Sequence, residues 1–341
     1  MSHLHLHLHL LPLPALTAAL VAGRGFAHKR DIGDAMRVLS RALPDATHQR
    51  DQAVALGDDC AAIRDGDGYL LFAIEGFVDD FVQRMPWFAG YCGVMVNVSD
   101  IYAMGGRPIA VVDAIWSQGA GTSEQVMVGM AEASRRYGVP IVGGHTNHRS
   151  DHGQLAVAIL GRARKLLTSF DALPGHRLLM AIDLRGAYQE PNPYWDASTS
   201  APAERLRADL ELLPILAEDG LCNAAKDISM AGAVGTALML LECSEVGAMI
   251  DIEAIPRPLG VPLLRWLQSF PSFGFVLSVR PEVADEVVAR FHARGIACAD
   301  VGEVSAAPQV WLRQGQETSL LWDVAAQPFI RARPAQEPGN A

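Results

Sequence analysis

Acidic residues interrupt three apolar segments in the first third of the chain. Asp58 and Asp59 precede one apolar run, Glu75 ends another, and Asp100 lies inside the apolar segment 93–104. An ionised carboxylate in a buried segment costs several kcal/mol unless a cation or hydrogen-bond donors compensate for it. Mg²⁺ prefers carboxylate oxygens and bridges them to phosphate oxygens. The pattern therefore predicts a site where Mg²⁺ ions lie between these acids and a polyphosphate.

Each acidic group also has a structural interpretation, which stays open at this point. The pair Asp58-Asp59 is typical of a turn in which one carboxylate accepts backbone N–H groups while the other faces a ligand. Asp79 and Asp80, just after Glu75, fit a solvated loop. Asp100 could cap backbone groups instead of binding a ligand.

Two further groups have residue types suited to a nucleotide site. Asn97 is predicted on the same helix face as Asp100, since the two are three residues apart. Lys29 is the one early cation placed to reach a phosphate. In the segment Gly143-Gly144-His145-Thr146, the glycines allow close backbone approach to a ligand. His145 could contact phosphate, or it could be a satisfied, partly buried histidine.

Composition excludes several classes of protein. The 341 residues suggest about two domains. The chain has 28 basic and 38 acidic residues, a net charge of −10 and only three lysines. Because such a chain neutralises phosphates poorly, nucleic acid is a poor partner. The apolar stretch 10–22 holds 13 residues and two prolines, against about 20 residues for a membrane span. Five cysteines without CxxC spacing predict a reduced, cytoplasmic protein. No P-loop or GxGxxG motif is present.

Short apolar runs alternate with helical segments in a mixed order, which predicts two α+β halves rather than one doubly wound sheet. We expect helices over 89–104, 123–137, 202–218 and 231–243, and strands that include 69–74 and 274–279. A histidine-rich segment at the N-terminus alternates with leucines: His3, His5, His7 and His9. Binding of a metal ion by this segment is a separate, weaker hypothesis. The expected organisation is a flexible extension at 1–24, an N-terminal domain at 25–165, a C-terminal domain at 170–325 and a flexible tail at 326–341.

Four stretches, in this order, resemble one superfamily: GDDCAAI (57–63), VNVSDIYAMGGRP (96–108), GGHT (143–146) and DISMAGAVGTALMLLE (227–242). It is the PurM-like superfamily of aminoimidazole ribonucleotide (AIR) synthetase, thiamine-monophosphate kinase, selenophosphate synthetase and the hydrogenase-maturation carbamoyl dehydratase. The similarity runs from about residue 25 to 305. The segment PWFAGY (86–91) is most similar to the AIR-synthase-related branch.

The resemblance implies an N-terminal α+β domain that forms a barrel with its twin in a homodimer, followed by a C-terminal α+β domain. ATP and Mg²⁺ would bind in the cleft between the two domains. The metal ligands that the resemblance implies are Asp58 or Asp59, Glu75 and Asp100. It also implies a nucleotide or metal contact at His145 and substrate contacts at Asp227 and Ser229. Together with the residue pattern, the predicted metal ligands are Asp58, Asp59, Glu75 and Asp100, and the predicted nucleotide contacts are Lys29, Asn97, Gly143, Gly144, His145 and Thr146.

Departures from the named relatives prevent transfer of their substrates. No cysteine precedes Cys60, where selenophosphate synthetases carry a reactive one, and none ends the chain, as in the carbamoyl dehydratase. Met230 stands where thiamine-monophosphate kinases have a second Asp, and Glu75 stands where Asp is usual. We therefore expect an ATP- and Mg²⁺-dependent phosphoryl-transfer enzyme for an unidentified small metabolite, with no assigned catalytic side chain. The alternative is a non-catalytic nucleotide or metabolite sensor with the same fold.

Overall fold

A computed structural model describes residues 11–42 and 56–331. The predicted His3–His9 segment and the last ten residues lie outside this described part. None of the helices in the described part is long and apolar enough to cross a membrane.

The helices and strands follow one another in two α+β blocks, after two N-terminal helices. The helices are α1 (Leu13–Val21), α2 (Arg24–Ala42), α3 (Asp79–Arg84), α4 (Pro86–Ala103), α5 (Ala120–Tyr137), α6 (Ala203–Leu210), α7 (Leu212–Glu218), α8 (Gly232–Cys243), α9 (Leu263–Leu267) and α10 (Ala284–His292), with a 3₁₀ turn at Pro281–Val283. The N-terminal strands are β1 (Ala61–Asp65), β2 (Gly68–Phe77), β3 (Arg107–Gln118), β4 (Ile141–Asn147) and β5 (Arg149–Ala163). The remaining strands are β6 (Arg177–Ile182), β7 (Ala187–Tyr188), β8 (Tyr194–Asp196), β9 (Ala224–Asp227), β10 (Gly247–Asp251), β11 (Phe270–Pro271), β12 (Gly274–Val279), β13 (Ala297–Ser305), β14 (Gln309–Gln314) and β15 (Glu317–Asp323).

The N-terminal block is a five-stranded sheet in the order β1-β2-β5-β3-β4, antiparallel except for the parallel pair β3-β4. Helices α4 and α5 pack together and α4 lies against the sheet. The helices approach closely because Gly90 and Gly129 carry no side chain: a Cβ on Gly90 would stand 1.9 Å from the Val126 carbonyl oxygen. Every residue of α4 from Phe88 to Ala103 is buried. Any polar side chain on this helix therefore needs a partner inside the protein.

The C-terminal block is a seven-stranded sheet in the order β15-β14-β10-β13-β6-β12-β9. Strand β9 is an edge strand that pairs only with β12 in this order, and its last residue is Asp227. A small sheet, β11-β8-β7, forms beside the seven-stranded sheet in the same block. The two blocks confirm the predicted two-domain α+β architecture.

Hydroxyl groups and ion pairs join the two blocks. Ser198 of the C-terminal block makes hydrogen bonds with the hydroxyls of Tyr91 on α4 and Tyr137 on α5. Arg107 at the start of β3 forms ion pairs with Glu211 and Glu218. These contacts hold α4 against the C-terminal block, at the position where the predicted cleft lies.

The described part of the N-terminal extension is helical rather than flexible. Leu13, Leu16 and Leu20 of α1 are buried and recur at helical spacing, so α1 can pack its apolar face on the C-terminal block. The beginning of the predicted flexible tail is also held in place. Glu242, fully buried on α8, accepts hydrogen bonds from the backbone N–H groups of Phe329 (2.6 Å) and Ile330 (2.8 Å).

Two helix expectations differ in detail from the structure. The predicted helix 202–218 is two helices, α6 and α7, that meet at Glu211. Helix α5 begins at Ala120, earlier than expected, with Gly119 at its N-cap (φ 81°). The segment GGHT lies inside β4.

Candidate functional site

A cavity of about 530 Å³ lies between the two blocks. Its wall combines carboxylates, lysines and aromatic rings contributed by α2, the turn before β1, β2, α4, β8, β9 and β11. The charged side chains of the wall include Lys29, Asp58, Asp59, Glu75, Asp100, Lys226 and Asp227.

Three carboxylates from different elements meet in this wall. Asp59 comes from the turn before β1, Asp100 from the buried helix α4, and Asp227 from the end of the edge strand β9. One oxygen of each lies within 4.8 Å of the others. Among the described residues, no hydrogen-bond donor reaches the side chain of Asp100 or Asp227, although they are only 6% and 4% exposed. These two carboxylates line the cavity without a hydrogen-bond donor from the described part of the protein.

The surroundings raise the pKa of these acids. Burial, with the charges of Asp227 and Glu75 added, raises the pKa of Asp100 well above its ordinary value. Burial and the neighbouring charge of Asp59 raise the pKa of Asp227 to about 8, although Lys226 and Lys29 act in the opposite direction. The acids therefore repel one another, and a divalent cation between them would relieve that repulsion.

Lys226 supplies a positive charge that the sequence expectations did not include. It is buried on β9, and its Nζ donates to Asp59 Oδ1. Burial lowers its pKa, but the carboxylates of Asp59 and Asp58 outweigh that effect and raise the pKa above its ordinary value. A lysine inside the apolar strand AAKDI was the sequence signal that could have identified it.

Asp58 has a different environment from its neighbour Asp59. Its carboxylate accepts hydrogen bonds from the backbone N–H and the hydroxyl of Ser169, both at 2.7 Å, and from the backbone N–H of Asp59 at 3.0 Å. Burial raises the pKa of Asp58 to about 6. Three protein donors thus bind the carboxylate of Asp58. Asp59 accepts from Lys226 Nζ on one oxygen and, at 3.3 Å, from the backbone N–H of Asp227 on the other, so its second oxygen is the more available to a metal ion.

Glu75 and Lys29 face each other at the cavity. Glu75 lies on β2, and burial raises its pKa while the charge of Lys29 lowers it. Lys29 lies on α2, one turn after Gly25. A Cβ on Gly25 would stand 2.0 Å from the Met230 carbonyl oxygen, so only glycine lets α2 approach the turn after β9 this closely. This contact brings Lys29 to the cavity.

Ser229 lies in the turn after β9 and lines the cavity with Met230. Its backbone N–H donates to the Thr236 hydroxyl at 3.1 Å. Its own Oγ is buried and has no hydrogen-bond partner among the described residues. Ser229 and Asp227 are thus both positioned to contact a ligand.

The remaining predicted nucleotide contacts do not line the cavity in this chain. Asn97 is fully buried and donates to the carbonyl oxygens of Gly93 (2.8 Å) and Val157 (2.9 Å), so it joins α4 to β5. Gly143, Gly144, His145 and Thr146 lie on the exposed strand β4. Sequence spacing put Asn97 on the helix face of Asp100, but the sheet covers that part of the helix.

Family comparison accounts for both blocks. The profile of AIR synthase related protein, N-terminal domain, matches residues 57–163, and that of the C-terminal domain matches residues 185–313. The chain belongs to the AIR synthase related family. Membership confirms the resemblance seen in the sequence.

Two relatives match this chain over most of its length. Protein sll0787 of Synechocystis sp. (strain ATCC 27184 / PCC 6803 / Kazusa) is 50% identical over 307 residues, covering 89% of this chain and 94% of that protein. Protein MJ0640 of Methanocaldococcus jannaschii is 35% identical over 283 residues. The match covers 82% of this chain and 87% of that protein. The thiamine-monophosphate kinase of Pyrococcus horikoshii is 32% identical over 222 residues, covering 59% and 68%.

Solved structures share the AIR synthase related fold at low sequence identity. T. maritima PurL complexed with ATP has a TM-score of 0.66 at 19% identity; the match covers 84% of this chain and about half, 49%, of PurL. AaThiL complexed with AMPPCP and TMP has a TM-score of 0.64 at 17% identity, covering 86% and 98%. These likenesses confirm the two-domain PurM-like fold.

Proposed function

We propose that this protein is an ATP- and Mg²⁺-dependent phosphoryl-transfer enzyme that acts on a small metabolite in the cavity between its domains. The carrying observation is the pair of buried carboxylates, Asp100 and Asp227, that have no donor among the described residues and lie with Asp59 within 4.8 Å. Such carboxylates are stabilised when a cation binds them. Mg²⁺ fits this set because all the available ligand atoms are carboxylate oxygens.

Asp59, Asp100 and Asp227 would hold the metal ion, with Glu75 at the edge of the site. The bound ion supplies neutralisation of negative charge on the phosphoryl group as the transfer proceeds. The protein residues contribute position: α4, β9 and the turn before β1 fix the three carboxylates, and Lys29 offers a charge to a phosphate oxygen. Transfer then depends on alignment and charge rather than on a covalent enzyme intermediate.

The activities and ligands of related proteins support nucleotide binding. The relative from Pyrococcus horikoshii is a thiamine-monophosphate kinase, and the similar structures are complexes with ATP and AMPPCP. A cavity of about 530 Å³ is within the usual range for small-molecule sites. A separate part of its wall carries aromatic rings, with Phe81, Phe88, Tyr194 and Phe270 in edge or tilted contact, which suits an acceptor with an apolar portion.

We also propose that two chains associate through the N-terminal sheet. The face of this sheet that α4 does not cover exposes apolar side chains, including Phe72, Val112 and Val142. Ile74 on the same face also lines the cavity. A second copy of the chain would cover the apolar face and narrow the opening of the cavity.

Calorimetric titration of ATP, with and without Mg²⁺, tests the binding part of the proposal. We expect binding that depends on Mg²⁺, and equal, undetectable heats in both titrations would reject it. ATP turnover with a panel of small hydroxyl and carboxylate acceptors tests the catalytic part. Mg²⁺-dependent binding without turnover for any acceptor would favour a nucleotide sensor.

A further inference from the structure

Lys226 is a full positive charge among the acids that we assign to the metal site. It is 5% exposed, and all four residues of its strand β9 are buried. Its Nζ contacts Asp59, and the adjacent residue in the chain is Asp227. Lys226 thus links two of the three carboxylates, one through an ion pair and the other through the backbone.

A buried lysine is expensive unless acids surround it, and here they do. The side of Asp59 that contacts Lys226 is not open to a metal ion in this arrangement. Asp58, the other nearby acid, is held by Ser169. A second divalent cation on this side would need the oxygens of Asp58 and Asp59, which Lys226 and Ser169 already occupy.

We propose that Lys226 is a tethered cation that takes the place of a second divalent ion, so that the nucleotide-free protein binds one metal ion per chain. This inference rests on the proposed function, because it assumes that Asp59, Asp100 and Asp227 bind a metal. Lys226 acts here as a positioning residue. Its contact with Asp59 orients that carboxylate before the metal arrives, and it leaves one site instead of two.

Electron paramagnetic resonance of free Mn²⁺, with the nucleotide-free full chain, measures this stoichiometry directly. We expect the wild type to bind one Mn²⁺. Lys226→Met keeps the length of the side chain but removes its charge and frees Asp59. We expect this variant to bind a second Mn²⁺, or to bind the first Mn²⁺ with an affinity at least about tenfold higher. The reason is that a neighbouring positive charge no longer repels the ion.

Two control variants separate charge from general damage. Lys226→Arg keeps the positive charge and is expected to bind one Mn²⁺, as the wild type does. Lys165→Met removes an exposed lysine whose Nζ donates to the Glu218 carbonyl oxygen, outside the cavity wall. It is expected to leave both stoichiometry and affinity unchanged.

Several results would overturn the role of Lys226. One is binding of two Mn²⁺ ions by the wild type; another is unchanged stoichiometry and affinity in folded Lys226→Met. If Lys226→Met does not fold, Lys226→Gln decides, because it keeps a hydrogen-bond donor but no charge: the inference requires a second Mn²⁺ or tighter binding of the first, and wild-type stoichiometry and affinity would reject it. Failure of the wild type to bind Mn²⁺ with or without ATP is a different result, which rejects the proposed function itself.

Discussion

At the scale of single residues, Asp100 has the least compensated charge of the candidate site. Its helix is buried on all sides, and no donor reaches its carboxylate among the described residues. A residue kept for structure alone would be more stable as a neutral amide of the same shape. In the proposed function, Mg²⁺ supplies the counter-charge that this carboxylate lacks.

We expect Asp100→Asn to fold with a melting temperature equal to or above that of the metal-free wild type. The amide removes a buried negative charge and its repulsion with Asp227 and Glu75. Mg²⁺-dependent ATP binding should weaken about tenfold or more, since one charged metal ligand is lost. Calorimetry measures the affinity. Asp113→Asn is the matched control, because Asp113 is nearly buried in the same domain but does not line the cavity.

The pKa of Asp227 predicts how stability varies with pH. Its folded value is about 8, above the value of about 3.9 in unfolded chains. Between these values the folded protein binds more protons than the unfolded one, so stability falls as pH rises. We expect the metal-free protein to lose roughly 2 kcal/mol of unfolding free energy between about pH 6 and pH 8.

Urea denaturation in EDTA at the two pH values measures this loss. Added Mg²⁺ should remove most of it, because the bound ion favours the ionised carboxylates. Asp227→Asn should reduce the dependence in EDTA, since one of the groups with a raised pKa is gone. Stability that rises from pH 6 to pH 8 in metal-free wild type would contradict the assigned environment of Asp227.

Residue type and apolar context selected Asp58, Asp59, Glu75 and Asp100 as acids of one metal site. Asp227 was named only through the family resemblance, as a substrate contact. The sequence presented Asp58 and Asp59 as equivalent, and the structure separates them through Ser169, which lies 111 residues further on. Lys226 was missed because its partner, Asp59, lies 167 residues away. Such pairings depend on how the two domains meet, which local patterns do not encode.

At the scale of elements, helix α2 and the C-terminal segment stabilise each other beside the cavity. Phe26 on α2 packs against Phe329, with ring centroids 5.2 Å apart, and Phe329 also contacts Trp322 at 5.3 Å. Glu242 fixes the backbone of Phe329. Because Lys29 lies on α2, this packing at the chain ends also positions a charge at the cavity.

We expect Phe329→Ala to reduce the free energy of unfolding by roughly 3 kcal/mol, the usual loss for a buried phenylalanine. It should also weaken ATP binding, because α2 loses part of its support. Denaturation and calorimetry measure the two effects. Phe329→Leu retains most of the apolar contact and should lose less in both. Leu259→Ala, at a fully exposed position, should change neither the stability nor the ATP affinity. Wild-type ATP affinity in Phe329→Ala would show that the support of α2 does not affect nucleotide binding.

Elements with their own strong pattern were predicted well, and elements set by tertiary contacts were not. The strand 274–279 agrees with β12 at both ends. The extension that contains α1 was expected to be flexible, since its apolar stretch 10–22 is short and holds two prolines. Its stability comes from burial of Leu13, Leu16 and Leu20 against the C-terminal domain. Local sequence patterns do not predict that contact surface.

At the scale of the whole molecule, the N-terminal sheet leaves an apolar face uncovered in the single chain. Strands β2 to β5 bury one face under α4 and α5, and the opposite face keeps apolar residues at alternate positions. A half-solvated antiparallel sheet is normally polar on its outer face. Contiguous apolar surface of this kind marks an interaction site, and a second copy of the same sheet is self-complementary under twofold symmetry.

Light scattering coupled to size-exclusion chromatography tests this association. We expect the wild type to be a dimer and Val142→Arg to be a monomer, because Val142 is 64% exposed in the single chain and would place two buried guanidinium groups in the interface. Leu259→Arg introduces the same charge on a fully exposed loop of the other domain and should remain a dimer. Since Ile74 belongs both to this face and to the cavity wall, the monomeric variant should also bind ATP more weakly. A dimeric Val142→Arg would mean that the sheet face is not the interface, whereas a monomer with wild-type ATP affinity would mean that each chain completes its own site.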